Sequence, residues 1–205
     1  MEHPHGGREG AKQPERFDPA RAARLDAPER LSYLPPGRIA ELLTLQEGTI
    51  LDFGTGTGAY ALPLARLLPR TTILALDEQP EMLAMLQAKL DADPLPNLRP
   101  IAPEALAGLA GRVDRVLAIN VLHEIGDRDL AAIPVLLAEA GEALFIDWDA
   151  EADRPVGPPA PHVYAAPEAA ARLERHGFRA FRTVAFPYHF AIVCRAGTAA
   201  PAAAS

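Results

Sequence analysis

The chain has 205 residues, 49% of them hydrophobic, and carries 20 Lys+Arg against 27 Asp+Glu for a net charge of −7. That length suffices for one domain with a sizeable core, and an acidic balance without basic clusters argues against a nucleic-acid binder. The lone Cys194 rules out an internal disulfide framework and any chemistry that needs paired thiols. No apolar run approaches the ~20 residues that span a bilayer. The opening segment MEHPHGGREGAKQPER lacks the apolar stretch of a signal peptide, so a cytoplasmic location is expected.

Residues 1–16 are Gly, Pro and charge, too poor in apolar side chains to pack, and are expected to be disordered. The same holds for a C-terminal tail over 196–205, which leaves one domain over 17–195. A helical lead-in, FDPARAARLDAPERLSYL, offers Phe17, Leu25, Leu31, Tyr33 and Leu34 as apolar points and ends at Pro35-Pro36. A short helix through Ile39, Leu42 and Leu43 then leads to Gly48.

From Thr49 onward strands and helices alternate. TILDF is a first strand running into a glycine loop, and Ala61, Leu62, Leu64, Ala65 and Leu68 have helical spacing. Pro63 places that helix start near 58–61. TTILALD is a second strand, and Pro80 opens a helix whose buried face is Met82, Leu83, Leu86 and Leu90. NLRPI is a third strand, which Pro100 confines to an edge. VDRVLAIN is a fourth, followed by a helix over about 127–140 that Pro134 kinks or splits. EALFID is a fifth, followed by a Pro-rich loop over 148–166. Pro167 opens a last helix, closed by Gly177. FRAFRTVAF and YHFAIVC form an antiparallel pair turning at Pro187.

Such alternation implies a doubly wound α/β fold, with a mostly parallel sheet covered on both faces. Its ligands bind beyond the carboxyl ends of the strands, beside the first strand. The residues with chemical potential fall there. In ILDFGTGTGAY, Gly54, Gly56 and Gly58 let the backbone turn sharply and approach a ligand closely. Gly54, Gly56 and Ala59 also satisfy the relaxed dinucleotide pattern, so the loop alone does not choose a cofactor. Asp52, at the end of the first strand, faces repulsion from a pyrophosphate but attraction from the sulfonium and ammonium of S-adenosylmethionine. Its other reading is a carboxylate that binds loop amides. Asp77, at the end of the second strand, suits a ribose diol or an N-cap for the helix at Pro80.

These segments resemble the class I methyltransferases, and among them the branch of ubiquinone and menaquinone biosynthesis. ILDFGTGTGAYALPLARLLP is similar to that family's first motif, ALDEQPEML to its ribose segment, and VDRVLAINVLHEIGD to its fourth-strand motif. DAPERLSYLPP and LFIDWD also look like that branch, so the resemblance covers roughly 17–195. It implies a Rossmann-like seven-stranded sheet in the order 3-2-1-4-5-7-6, with the last strand antiparallel, and S-adenosylmethionine as cofactor. By position it implies that Asp52 and the backbone of Gly54, Thr55 and Gly56 hold the methionine end and Asp77 the ribose, with Tyr60 also among the cofactor-binding residues. Glu78, Glu104 and Ala105 would flank the adenine, and Asn120 would sit near the methionine. Glu139-Ala140-Gly141 replaces the usual Pro-Gly-Gly turn before the fifth strand, and Ala102-Pro103-Glu104 departs from the usual polar adenine contact.

Methyl transfer is a displacement at carbon, which requires alignment and exclusion of water. The expected acceptor pocket holds Tyr33, with the lead-in as a lid, and His123, Asp147 and Trp148. His123 reads as a base, a polar wall or a helix cap, and Trp148 as a stacking surface or loop filler. His162, Tyr164, Tyr188 and His189 read as structural. No His/Asp pair has metal-ligand spacing. A small-molecule acceptor is expected, with no nucleic-acid or membrane partner. A binding module without catalysis and a nicotinamide oxidoreductase are the alternatives. The latter lacks a Tyr-Lys pair, since Lys12 and Lys89 are the only lysines and neither falls beside the expected pocket.

Overall fold

A computed structural model describes residue 22 and residues 24–197. The expected N-terminal tail, Phe17 and residues 198–205 lie outside the described residues. A single seven-stranded sheet runs β3-β2-β1-β4-β5-β7-β6. Its strands are β1 (Gly48–Phe53), β2 (Thr71–Leu76), β3 (Leu98–Ile101), β4 (Val113–Ile119), β5 (Leu137–Trp148), β6 (Phe178–Ala185) and β7 (His189–Ala196). Strand β7 is antiparallel to both of its neighbours, and the pairs among β1 to β5 are parallel. This is the expected topology.

The helices are α1 (Glu29–Tyr33), α2 (Pro36–Leu43), α3 (Ala61–Leu67), α4 (Pro80–Ala92), α5 (Asp127–Leu136) and α6 (Ala166–Arg175). Successive strand residues serve opposite faces. Ile50, Leu117, Leu144 and Ile146 join the core beneath α2, α3 and α4. Leu51, Val116, Ala118, Ala143 and Phe145 join the core beneath α5 and α6. Both faces are therefore covered, which is why the strands read as unbroken apolar runs.

Three expectations need correction. Among the described residues the lead-in carries the single turn of α1, with Pro28 at its N-cap and Pro35 beyond its end. Helix α5 stops at Leu136 rather than near 140. Pro134 lies inside its last turn, where it removes a backbone donor. Strand β5 starts at once, pairing Leu137 with Val113, and its register resumes at Arg115↔Glu142 after the intervening residues bulge out. Gly141 serves that bulge: a side chain there would lie 2.9 Å from the carbonyl oxygens of both Ala138 and Val113. Finally, Ala196 belongs to β7 rather than to the tail, since it pairs with Phe178.

The glycine loop leaves β1 and folds across the end of β2, where Gly54 and Thr55 donate to Leu76 O at 2.9 and 2.8 Å. Gly54 has φ +75°, and a Cβ there would approach Val121 Cγ2 to 2.6 Å. Gly54→Ala is therefore expected to destabilise the chain by about 1–2 kcal/mol for the left-handed backbone alone, with more for displacing Val121. A fall in Tm of several degrees in a thermal melt checks this, and an unchanged Tm would contradict it.

Candidate active site

The carboxyl ends of β1, β2, β4 and β5 open into one cleft of about 1250 Å³. Its floor is the glycine loop with Asp52 and Asp77, and Ile119, Asn120 and Val121 follow from β4. Leu25, Arg30 and Tyr33 from the lead-in form one wall, and Trp148 with residues 156–159 and His162 form another.

Asp52 is 3% exposed and accepts the Thr55 hydroxyl at 2.7 Å. Burial, above all, pushes its carboxyl up to about 6; the Thr55 bond opposes that shift and the charge of Asp77 adds to it. The ionised form is thus held at a cost that a nearby cation would offset. Asp77 is not the N-cap of α4, a position that Gln79 holds without a side-chain cap bond. One oxygen accepts Gly56 N at 2.8 Å and the other Gln79 N at 2.9 Å, so it clamps the loop to the start of α4 while still lining the cleft. Burial raises its pKa as well.

Asn120 adopts φ +58°, a conformation that asparagine tolerates better than most residues. Its backbone N–H bonds to Ile146 O at 2.8 Å and its buried Oδ1 has no partner. The hydroxyl of buried Tyr60, at the start of α3, is also without one. Buried polar atoms without partners are rare in folded chains; those of Asn120 and Tyr60 belong to residues lining the cleft, where a ligand would satisfy them, while the two ring nitrogens of His189, also without partners, lie off its wall.

The cleft brings together Asp52, Gly54, Thr55, Gly56, Tyr60, Asp77, Glu78, Asn120, Tyr33, His123 and Trp148, all expected site residues. It leaves out Glu104 and Ala105. They lie on a short 3-10 helix, Pro103–Gly108, in which residues three apart share a face; Pro103 and Leu106 face the cleft and the expected pair is exposed. Asp147 is also off the cleft wall, because it stands one residue before Trp148 and points the other way. It is 1% exposed and sits behind His123. Its oxygens accept His123 Nδ1 at 2.8 and 3.0 Å, His123 N at 3.0 Å and Trp148 N at 2.7 Å.

His123 Nε2 in turn lies 3.5 Å from Glu124 Oε1. Burial pulls the imidazole down most strongly, but Asp147 and Glu124 together outweigh it and raise its pKa to about 10. The ring is therefore a cation at neutral pH, which removes the reading as a resting base. His189, by contrast, is pushed down to about 3, chiefly by burial. It stacks 4.0 Å from Trp148 and 5.7 Å from Tyr33, forming an apolar brace behind them. His162, expected to be structural, lines the cleft.

Sequence reasoning missed two supports. Arg172 of α6, 2% exposed, donates to Leu122 O, to Ile125 O at 2.7 Å and to Asp127 Oδ1 at 2.9 Å, which fixes the loop bearing His123. Lys89, expected to lie away from the site, reaches Thr57 O at 2.9 Å and both oxygens of Asp26 at 2.7 and 2.8 Å. Thr57 Oγ1 also donates to Asp26 at 2.7 Å, so the lead-in is tied to the glycine loop. Among the described residues no His/Cys/Asp/Glu group could hold a metal ion.

The fold and site define a class. Residues 50–144 match the family described as methyltransferase domain. A SAM-dependent methyltransferase from Aquifex aeolicus superposes with TM-score 0.80 at 29% identity, over 87% of this chain and 98% of that one. The ubiquinone biosynthesis O-methyltransferase of Methylocella silvestris is 37% identical over 99 residues, 48% of this chain and 38% of that protein. The release factor glutamine methyltransferase of Deinococcus radiodurans is 31% identical over 93 residues, 45% of this chain and 33% of that protein. The chain thus spans little more than a third of the length of these curated relatives. In fold and over the matched segment the chain resembles the class I S-adenosylmethionine-dependent methyltransferases.

Two stability predictions follow from the titrating groups. The pKa of Asp52 is raised on folding, so its contribution is complete below about 4 and declines as pH rises through about 6. Asp52→Asn should therefore stabilise the ligand-free chain at pH 7.5 by as much as ~3 kcal/mol, read as a higher melting temperature, while leaving that at pH 4 nearly unchanged; equal effects at both pH values would refute it. The raised pKa of His123 gives stability that is complete below about 6.5 and lost as pH rises through about 10. In Asp147→Asn, melts between pH 7 and 10 should show a lower and flatter Tm than the unaltered chain; a parallel curve would count against the pair.

Proposed function

We propose that this chain transfers the methyl group of S-adenosylmethionine to a small-molecule acceptor in the cytoplasm. The observation that carries the reading is the buried carboxylate of Asp52 beneath the glycine loop, with Asp77 beside it and the unpartnered Asn120 Oδ1 facing the same cleft. These groups suit a ligand with a cationic sulfonium and ammonium and repel a diphosphate. When bound, the cofactor supplies an electrophilic methyl group. Asp52, Asn120 and the glycine backbone hold its methionine end, Asp77 and Glu78 its ribose side, and Pro103 with Leu106 flank its adenine.

The volume of the cleft exceeds the usual range for a single-ligand pocket, which leaves room for an acceptor between Trp148, Tyr33 and residues 156–159 on one side and His123 with Glu124 on the other. His123 acts as a fixed polar wall, and Glu124, open to the cleft, accepts the proton when the acceptor enters protonated. The segment Asn120-Val121-Leu122-His123 lacks the Asn/Asp-Pro-Pro-Tyr sequence suited to amide methylation, which favours a small molecule over a protein acceptor despite the release-factor relatives. Among the described residues no helix is long and apolar enough to cross a membrane.

S-adenosylhomocysteine at millimolar concentration should raise the Tm, and NADH should not; Asp52→Ala should abolish the shift and Asp77→Ala weaken it. Affinity for S-adenosylmethionine should fall as pH drops below about 6, a dependence that Asp52→Asn removes. Transfer of a radiolabelled methyl group from the cofactor into a cell extract should label the small-molecule fraction. Label confined to protein would overturn the acceptor class, and absence of any thermal shift would overturn the reading.

A further inference from the structure

A buried imidazole ordinarily finds partners for its nitrogens, because leaving them bare is costly. His189 departs from that. It is 1% exposed, and neither ring nitrogen has a partner. It pairs across the sheet with Trp148, at the end where the strands open into the cleft. The Trp148 ring lies 4.0 Å away, and the Tyr33 ring stacks at 5.7 Å with 15° between planes. Tyr188 meets Tyr33 edge-on at 5.3 Å. A neutral imidazole suits this ring enclosure. An imidazolium would bring two donors and a charge with nothing to receive them.

The charges around the ring offer it little relief. From β5, Asp147 favours its protonation, but that carboxylate already accepts His123 Nδ1, His123 N and Trp148 N. Arg30 from α1, Arg154 from the Pro-rich loop and His123 from the loop after β4 all oppose it. The Tyr33 phenol, raised by burial, is neutral at and below neutral pH. Burial is the largest influence on His189 and, with those cations, holds its pKa at about 3. Stability gained by enclosing the ring is therefore complete above about 6.5 and is lost as pH falls towards about 3.

The element that covers the imidazole is lightly held. None of the five residues of α1 is buried, and Tyr33, which lines the cleft, is only half-buried. The segment is pinned at its two sides, upstream where Lys89 and Thr57 hold Asp26 and downstream where Leu34 is fully buried. Between those pins α1 rests on ring contacts, Tyr33 on His189 and Trp148, and Arg30 over Tyr60 at 5.5 Å. We propose that His189 is an acid-sensitive catch: neutral, it holds Tyr33 and α1 shut against the cleft, and once protonated it releases them so that water reaches its ring. The catch operates whatever the cleft binds.

Trp148, the only tryptophan of the chain, reports on it directly. Each pH unit below about 6.5 should raise the open-to-closed ratio of α1 about tenfold. Acrylamide quenching of Trp148 in the full chain should therefore climb between pH 6.5 and about 4.5, while far-ultraviolet circular dichroism stays constant. His189→Phe, which keeps a ring, and His189→Gln, which keeps a polar group, should both abolish the climb; Asp52→Asn should retain it. A flat quenching curve in the unaltered chain overturns the proposal, as does an equal climb in either His189 variant or a climb that coincides with loss of helical signal. Should neither variant fold, NMR titration of the imidazole in the unaltered chain decides. Protonation of His189 must track the quenching, and a ring that stays neutral while quenching climbs overturns the catch.

Discussion

An ionisable carboxyl sealed under a glycine loop is the constraint on which the site depends. Asp52 is placed by β1 at a depth where its charge is disfavoured, with the Thr55 hydroxyl as its only side-chain donor among the described residues. The loop above it cannot relax away. Its first amides are bound to Leu76 O, and its middle is held by Asp77. The fold thus keeps a negative site poised and poorly compensated, in the place where the parallel strands end. Stability is given up locally for attraction to a cation, a pattern common where structure serves binding.

The second half of the cleft is organised differently, by pairing rather than by frustration. Asp147, His123 and Glu124 form a chain of alternating charge running from the interior towards the opening. Arg172 secures the same loop from the far side through two backbone carbonyls and Asp127. Because α6 supplies that arginine and β5 supplies Asp147, the loop after β4 is fixed from two elements distant in sequence. That wall of the cleft is therefore held in place. The opposite wall is braced by rings, with Trp148, Tyr33 and His189 in mutual contact.

What could be read from the sequence and what could not divides along the range of the interactions. The strands themselves, the edge position of β3 and the glycine loop follow from local signals: apolar runs, Pro100, and glycines behind an acidic strand end; the strand order followed from the resemblance. Asp52, Asp77, Asn120 and His123 come together at the cleft because strand ends converge in this topology. Facing elsewhere depends on a single residue step. Asp147 and Trp148 alternate on β5, so the two could not both line the cleft. Glu104 and Ala105 lost their place to Pro103 and Leu106 through the threefold repeat of a 3-10 turn. The roles of Arg172 and Lys89 were hidden for another reason: their partners lie tens of residues away, and long polar side chains carry no periodic signature.

The pairing of β7 between β5 and β6 has one more effect. Insertion of an antiparallel strand leaves only β3 and β6 with unpaired backbone rims. The first is four residues long and contains Pro100. The second shifts register between Arg179 and Arg182, around Ala180 at φ +57°. Short length, a missing amide and a bulge each spoil the template that a foreign strand would need. The molecule can therefore carry a broad, strongly apolar sheet at high concentration without offering it a seam along which to polymerise.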